Sequence, residues 1–178
     1  MSDERPIFVI QEHDATTHHY DVRLEIDGVL KSWAVPKGPS TDPREKRLAV
    51  PTPDHDLDYA AFEGVIPDGE EGAGPVLIWD RGRFDYPVDP EGGSPPEDAA
   101  DLKDAYESGH LVVRLDGDKL SGGYAFQRMG KKASDNWLMI KTRDGAADAR
   151  RNPTAAETRS VASGRTLDQV RREGRDDG

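Results

Sequence analysis

The strongest constraint on this chain is a pair of alternating segments joined by two residues. His19–Ile26 and Val29–Val35 place apolar side chains at every second position, and Asp27-Gly28 stands between them. A period of two sends alternate side chains to opposite faces of a strand. Asp-Gly suits the left-handed backbone of a two-residue hairpin turn. The pair therefore predicts an antiparallel hairpin. The same periodicity marks Ile7–Gln11, Arg47–Val50, Val76–Trp79, Leu111–Leu115, Tyr124–Met129 and Trp137–Thr142, with a second Asp-Gly turn at Asp116-Gly117. About eight short strands with Gly and Asp turns predict a mainly β fold, a compact closed or nearly closed β-barrel.

One helix is expected beside it, or two. Ser94-Pro95-Pro96-Glu97 reads as a capping box with proline at the first helical position, Asp98–Glu107 continues with helix formers, and Gly109 closes it. After Arg143 the character changes. Residues 144–178 carry no aromatic residue and no lysine, but seven arginines against seven acids. They read as a solvated polar tail beyond a domain of residues 1–143, with Thr166-x-x-Gln169 able to cap a short helix near 166–173. The sharper reading is an arginine-bearing arm that docks on the body or on nucleic acid.

The absence of cysteine excludes disulfides, thiolate-bound metal and a thiol nucleophile, so any metal must be held by His, Asp, Glu or backbone oxygen. No apolar run approaches the roughly 18 residues of a membrane span, and Met1–Pro6 is polar, which leads to the expectation of a cytoplasmic protein. A net charge of −11 argues against nonspecific binding to a polyanion.

The hairpin's first strand carries the chemistry. Tyr20, Val22, Leu24 and Ile26 form an apolar face, and His19, Asp21, Arg23 and Glu25 lie on the other. A solvated outer face is the ordinary reading of such a row. Its composition favours more: imidazole and carboxylate can share a divalent metal, and a guanidinium can grip a phosphate in two-pronged fashion. Gln11 and His13, two apart on the preceding strand, project together, so His13, His19 and Asp21 can form a three-ligand site. That donor set suits Mn²⁺, Fe²⁺ or Zn²⁺ better than Mg²⁺. His18 points away from His19 if both are in strand. Lys31 to Arg47 is a local stretch of net charge +3, containing Lys37, Arg44 and Lys46. Asp54-His55-Asp56-Leu57-Asp58-Tyr59 follows. His55 there is either a solvated loop residue or, with Tyr59, a source of a proton and a hydrogen bond.

Together these blocks resemble the phosphoesterase domain of bacterial and archaeal DNA ligase D. The resemblance rests on Gln11-x-His13-x5-His19-Tyr20-Asp21-x-Arg23-Leu24-Glu25 and Leu30-Lys31-Ser32-Trp33-Ala34-Val35-Pro36-Lys37-Gly38-Pro39. Lys46-Arg47-Leu48-Ala49-Val50, Asp54-His55-x3-Tyr59, Phe62-Glu63-Gly64-x-Ile66-Pro67 and Gly72-Ala73-Gly74-x-Val76 follow in order. It covers residues 6–143. Glu71 stands where the family usually has an aromatic residue, and only Met1–Pro6 precede the first strand where the family has a longer polar arm.

The resemblance implies a β-barrel whose hollow holds Mn²⁺, other divalent transition metals being alternatives, and trimming of DNA 3′ ends. A terminal ribonucleoside is removed by phosphodiester cleavage, and the 3′-phosphate is then hydrolysed to a ligatable 3′-hydroxyl. By matching position, His13, His19 and Asp21 are the metal ligands. Gln11, Arg23, Lys37, Arg47, His55 and Tyr59 bind the substrate phosphate, with Arg23, Arg47, His55 and Tyr59 catalytic. The implied partners are DNA 3′ ends, as primer–templates with a terminal ribonucleotide or 3′-phosphate. An ATP-dependent ligase and an end-bridging protein would act in trans on a free-standing monomer. Two other readings stay open. One is a noncatalytic end-binding or ligase-recruiting module of the same fold. The other is an Fe(II)/2-oxoglutarate oxygenase using His19, Asp21 and His55.

Overall fold

The computed structural model describes residues 3–130 and 135–176. Among these, nine strands form one sheet, every ladder antiparallel. They are β1 (Ile7–Asp14), β2 (His18–Ile26), β3 (Val29–Val35), β4 (Lys46–His55), β5 (Gly64–Ile66), β6 (Gly74–Asp85), β7 (His110–Gly117), β8 (Ser121–Arg128) and β9 (Trp137–Lys141). The order is β1-β2-β3-β4-β9-β8-β7-β6, and a β1–β6 ladder closes the circle. The result is an eight-stranded barrel with β5 as an extra strand on β6. Closure leaves no exposed edge among the barrel strands.

The predicted hairpin forms as read. Asp27 and Gly28 both have positive φ, 55° and 81°, as a two-residue turn matched to strand twist requires. The ladder beyond them pairs Ile26 with Val29 through Tyr20 with Val35. Strands run longer than the apolar blocks suggest, because β1, β4 and β6 continue through polar residues that the ladder satisfies. β5 is missed by sequence reading, since three residues with a leading glycine carry no periodicity.

The interior is apolar. Phe8, Ile10, Val22, Leu24, Trp33, Val35, Leu77, Trp79, Phe84, Leu115, Tyr124 and Phe126 belong to one buried cluster. Trp33 lies at its centre, 5.0 Å from Phe126 and 5.3 Å from Trp137 between ring centroids. This corrects one expectation: among the described residues the hollow holds no metal site, because aromatic side chains fill it. Aromatic side chains of 150–250 Å² each supply most of such a core's burial, and polar groups left without partners there are costly.

Three short helices flank the barrel among the described residues: α1 (Leu102–Ser108), α2 (Pro153–Ala156) and α3 (Leu167–Asp176). α1 begins later than its sequence signal. The Ser94 box does not cap it; Asp101 is the N-cap, and Gly109 at φ 87° ends it. A free helical turn is unfavourable to nucleate. The helix therefore starts where Leu102 and Ala105 find the core. Residues 144–176 do not extend into solvent. Val170 is buried at 1% exposure, and Trp79 Nε1 donates to the Glu157 carbonyl at 2.7 Å. Thr166 and Gln169 exchange reciprocal capping bonds, Thr166 N to Gln169 Oε1 at 2.9 Å and Gln169 N to Thr166 Oγ1 at 3.3 Å.

Candidate metal centre and phosphate site

The register assembles the site on the outer face of the β1–β2–β3 wall. Gln11 pairs with Asp21, and His13 with His19. Asp21 and Arg23 pair in turn with Ala34 and Ser32. Phe8, Ile10, Val22 and Leu24 point into the core, so their alternates Gln11, His13, Asp21 and Arg23 point away from it. The outward row is still buried: Gln11 is 0% exposed, Asp21 5%, Arg23 4% and His13 8%. A 3-10 turn at Leu57–Ala61 and the Gly72 loop contribute contacts to it.

His13, His19 and Asp21 offer one ligand atom each, all within 4.8 Å of one another. His13 Nε2 lies 2.6 Å from the Gly72 carbonyl, and His19 Nδ1 lies 3.1 Å from the Thr17 carbonyl. A carbonyl can only accept, so each of these nitrogens carries the proton. The opposite nitrogens then present lone pairs. His13 Nδ1 faces Asp21 Oδ2 at 3.4 Å, and His19 Nε2 faces the same carboxylate at 3.1 Å. Two lone pairs and a carboxylate in so small a space repel unless a cation sits among them. Imidazoles oriented by outer carbonyls are the usual surroundings of a metal ligand. The N₂O set fits a first-row transition ion.

A proton on His19 meets Asp21 as a cation would. Burial alone would raise the Asp21 carboxyl, but its contacts with His13 and His19 and the Arg23 charge outweigh it and hold the group well below the carboxylate range. The bond to Asp21 raises His19 against its partial burial.

Arg23 is gripped on every side. Its Nε donates to Gln11 Oε1 at 2.7 Å and its Nη1 to Ser32 Oγ at 2.9 Å, while Nη2 stands 3.5 Å from Asp21. Its guanidinium stacks over Tyr59 at 5.0 Å. Gln11 Nε2 donates to the Tyr59 and Phe62 carbonyls, both at 3.0 Å. Gln11 thus ties the 3-10 turn to Arg23. The turn brings Tyr59 against His55, ring centroids 4.3 Å apart. Burial, then the Arg23 charge, lowers His55 below its ordinary 6.5, so the neutral ring prevails at pH 7. A protonated His55 is therefore the disfavoured form. Burial raises the Tyr59 hydroxyl, which stays protonated.

The structure thus brings Gln11, His13, His19, Asp21, Arg23, His55 and Tyr59 together. It places Lys37 exposed after β3, and Arg47 at the start of β4, paired with Glu45 at 2.9 Å. His18 turns away, as its strand position predicts, and meets Glu12 at 2.6 Å. Sequence reading missed Ser32 and the carbonyls of Thr17, Phe62 and Gly72. Gly72 left a signal in the Gly-Ala-Gly block: its φ is +77°, and a Cβ there would lie 3.2 Å from the His13 ring.

A barrel wall carrying a His₂Asp cluster beside a buried guanidinium defines a class of protein that gathers a divalent cation and an anion at one place. The family model described as the DNA ligase D 3′-phosphoesterase domain matches residues 11–128, and the chain belongs to that family. It is 47% identical over 163 residues to the multifunctional non-homologous end joining protein LigD of Pseudomonas aeruginosa, covering 90% of this chain and 18% of that protein. Similar proteins of Mycobacterium tuberculosis and Mycolicibacterium smegmatis are each 46% identical, over 131 and 138 residues, which are 74% and 77% of this chain. The chain spans only 15% and 17% of those relatives' lengths.

Proposed function

We propose that this chain is a manganese-dependent 3′-end phosphoesterase that removes a 3′-terminal ribonucleoside and then the remaining 3′-phosphate. The observation that carries the reading is the pair of imidazole lone pairs turned onto Asp21, next to a fixed guanidinium. His13, His19 and Asp21 hold the ion. When bound, such an ion neutralises phosphate charge and acidifies a coordinated water.

The protein's own groups do the rest. Gln11 and Ser32 lock the Arg23 plane, leaving its remaining protons for a nonbridging phosphate oxygen as negative charge develops. Neutral His55 accepts a proton at its ring nitrogen, and the Tyr59 hydroxyl donates a hydrogen bond to a phosphate oxygen. Lys37 and Arg47, which make no contact with these groups among the described residues, have no part in the proton transfer on this reading.

The 3′-hydroxyl product is what a strand-joining enzyme requires. The reading therefore places the chain with an ATP-dependent DNA ligase and an end-bridging protein in the cytoplasm, acting as a monomer on primer–template ends.

A 3′-labelled primer–template tipped with one ribonucleotide tests it, incubated with Mn²⁺, Mg²⁺ or EDTA. The expected products end in 3′-phosphate and then 3′-hydroxyl with Mn²⁺, and none form with EDTA. His13→Ala, His19→Ala and Asp21→Ala each abolish turnover and Mn²⁺ binding. Near-wild-type Mn²⁺-dependent rates in all three would sink the assignment. End binding without turnover would point to a noncatalytic module, and 2-oxoglutarate-dependent O₂ consumption to an oxygenase.

A further inference from the structure

A second collection of cationic groups lies apart from the metal centre. Arg47 stands at the start of β4, and the loop from residue 144 to α2 brings Arg150 and Arg151 beside it. Pro39, Ser40, Glu45 and these three arginines line one recess of about 260 Å³. Its charges are three arginines against Glu45.

The partners of those arginines are unequal. Arg47 gives one Nη2 contact to Glu45 at 2.9 Å, but its Nε is buried and has no hydrogen-bond partner among the described residues. Arg151 is occupied: Nη2 donates to the Lys119 carbonyl at 2.6 Å and to Glu157 Oε2 at 2.5 Å. Arg150 uses its backbone N–H on Asp148 at 2.9 Å, while its exposed guanidinium has no partner among the described residues. A buried guanidinium nitrogen without an acceptor is costly. Arg47 and the free Arg150 guanidinium line one polar recess together. That arrangement matches an anion with several acceptor oxygens, as phosphate has.

The register relates this recess to the metal centre. Asp21 pairs with Ala34, and Ala34 pairs with Val50. Arg47 is three residues beyond Val50 toward the end of the barrel where His19 lies. Strand spacing puts it about 10 Å across the sheet and about 10 Å along it from Asp21. Val50 shares the face of Asp21, so Arg47 lies on the other face of β4, with Ala49, at the end of the barrel. One phosphate group cannot touch both places, whereas successive groups of a strand passing over that end can.

Resting on the phosphoesterase reading, we propose that the Arg47–Arg150–Arg151 recess is a second phosphate subsite. It holds a backbone phosphate of the nucleic acid other than the one being cleaved. Arg150 and Arg151 lie beyond the residues 11–128 that the family model spans. Inorganic phosphate shares the same chemistry, so the test separates the two sources.

The experiment uses the whole chain and compares Arg150→Glu and Arg150→Gln with wild type. Exposure of Arg150 makes both folded variants, which unchanged melting confirms. One arm measures binding of a single-stranded DNA ending in 3′-hydroxyl, across a salt series. The other measures binding of inorganic phosphate, and a third the KM and kcat on the RNA-tipped primer–template. DNA affinity should fall severalfold, with the salt slope reduced by about 0.7 for the lost contact. KM should rise with kcat kept, and any loss of inorganic phosphate binding should accompany the loss of DNA affinity rather than stand alone. Unaltered DNA affinity and salt slope would overturn the subsite. So would a loss confined to inorganic phosphate, which would make the recess a product site. If wild type turns nothing over in any metal while Arg150 still governs DNA affinity, the phosphoesterase reading fails and the subsite stands.

Discussion

At the residue scale, the tightest geometry is around His13. Its ring is held between the Gly72 carbonyl and Asp21, and Gly72 occupies a left-handed conformation that glycine adopts freely. Gly72→Ala adds a methyl against that ring and strains the backbone, costing about 1–2 kcal/mol. Chemical denaturation should show that loss, and a Mn²⁺ titration should show weaker binding; no change in either would remove Gly72 from the site. His55 sets a pH dependence. Its pKa is lowered, so the neutral ring forms already below pH 6.5. Activity should rise on an acid limb below that value and level above it, and His55→Ala should abolish the limb. A profile still climbing through pH 7 to 8 would contradict a neutral His55.

At the element scale, the segment after β9 is a strap. Glu63, just before β5, accepts from Ile78 N at 2.8 Å and meets Arg165 at 2.9 Å. Arg171 of α3 pairs with Asp14, the neighbour of His13. Burial works against the Glu63 charge, but its bonds to Ser160, Ser163, Ile78 and Arg165 hold the pKa below 4.5. A lowered folded pKa means the stabilisation is present above pH 4.5 and disappears as pH falls through the folded value. Hydrogen exchange in residues 160–170 should therefore quicken at low pH before the barrel strands exchange. Glu63→Gln should produce the same quickening at pH 7.

The barrel was legible in the sequence because period two is a local property. Each of the eight barrel strands left an alternating block, and the Asp27-Gly28 turn fixed one register outright. His13, His19, Asp21 and Arg23 were legible for the same reason, since spacing by two puts side chains on one face. What escaped depends on contacts distant in sequence. The strap looks like a solvated tail because its arginines are polar, yet they pair with Glu63 and Asp14 a hundred residues or more away. The start of α1 is set by where the barrel offers a surface rather than by Ser94. The carbonyls that orient the two histidines carry no residue signature at all.

At the scale of the whole molecule, the net charge is −11. Asp54 to Glu71 holds seven acids and no Lys or Arg, whereas Lys31 to Arg47 is net positive. Acidic surroundings disfavour long duplex contacts, so few phosphates should be neutralised. The plot of log affinity against log salt for a DNA end should have a slope no steeper than about −2, as two or three contacted phosphates give. A much steeper slope would mean an extended footprint. The core makes a separate prediction. Phe126 is fully buried on β8, across the barrel from the wall that carries His13, His19 and Asp21. Phe126→Ala should cost about 3–5 kcal/mol by chemical denaturation. Mn²⁺ affinity of the molecules that remain folded should be untouched.

That separation follows from the candidate site residues standing outside the wall while the aromatic rings fill the inside. An open face of this kind offers no channel to thread and no lumen to fit, so whatever binds there arrives broadside, as at a quay. The masonry behind the quay can be rebuilt without moving the mooring.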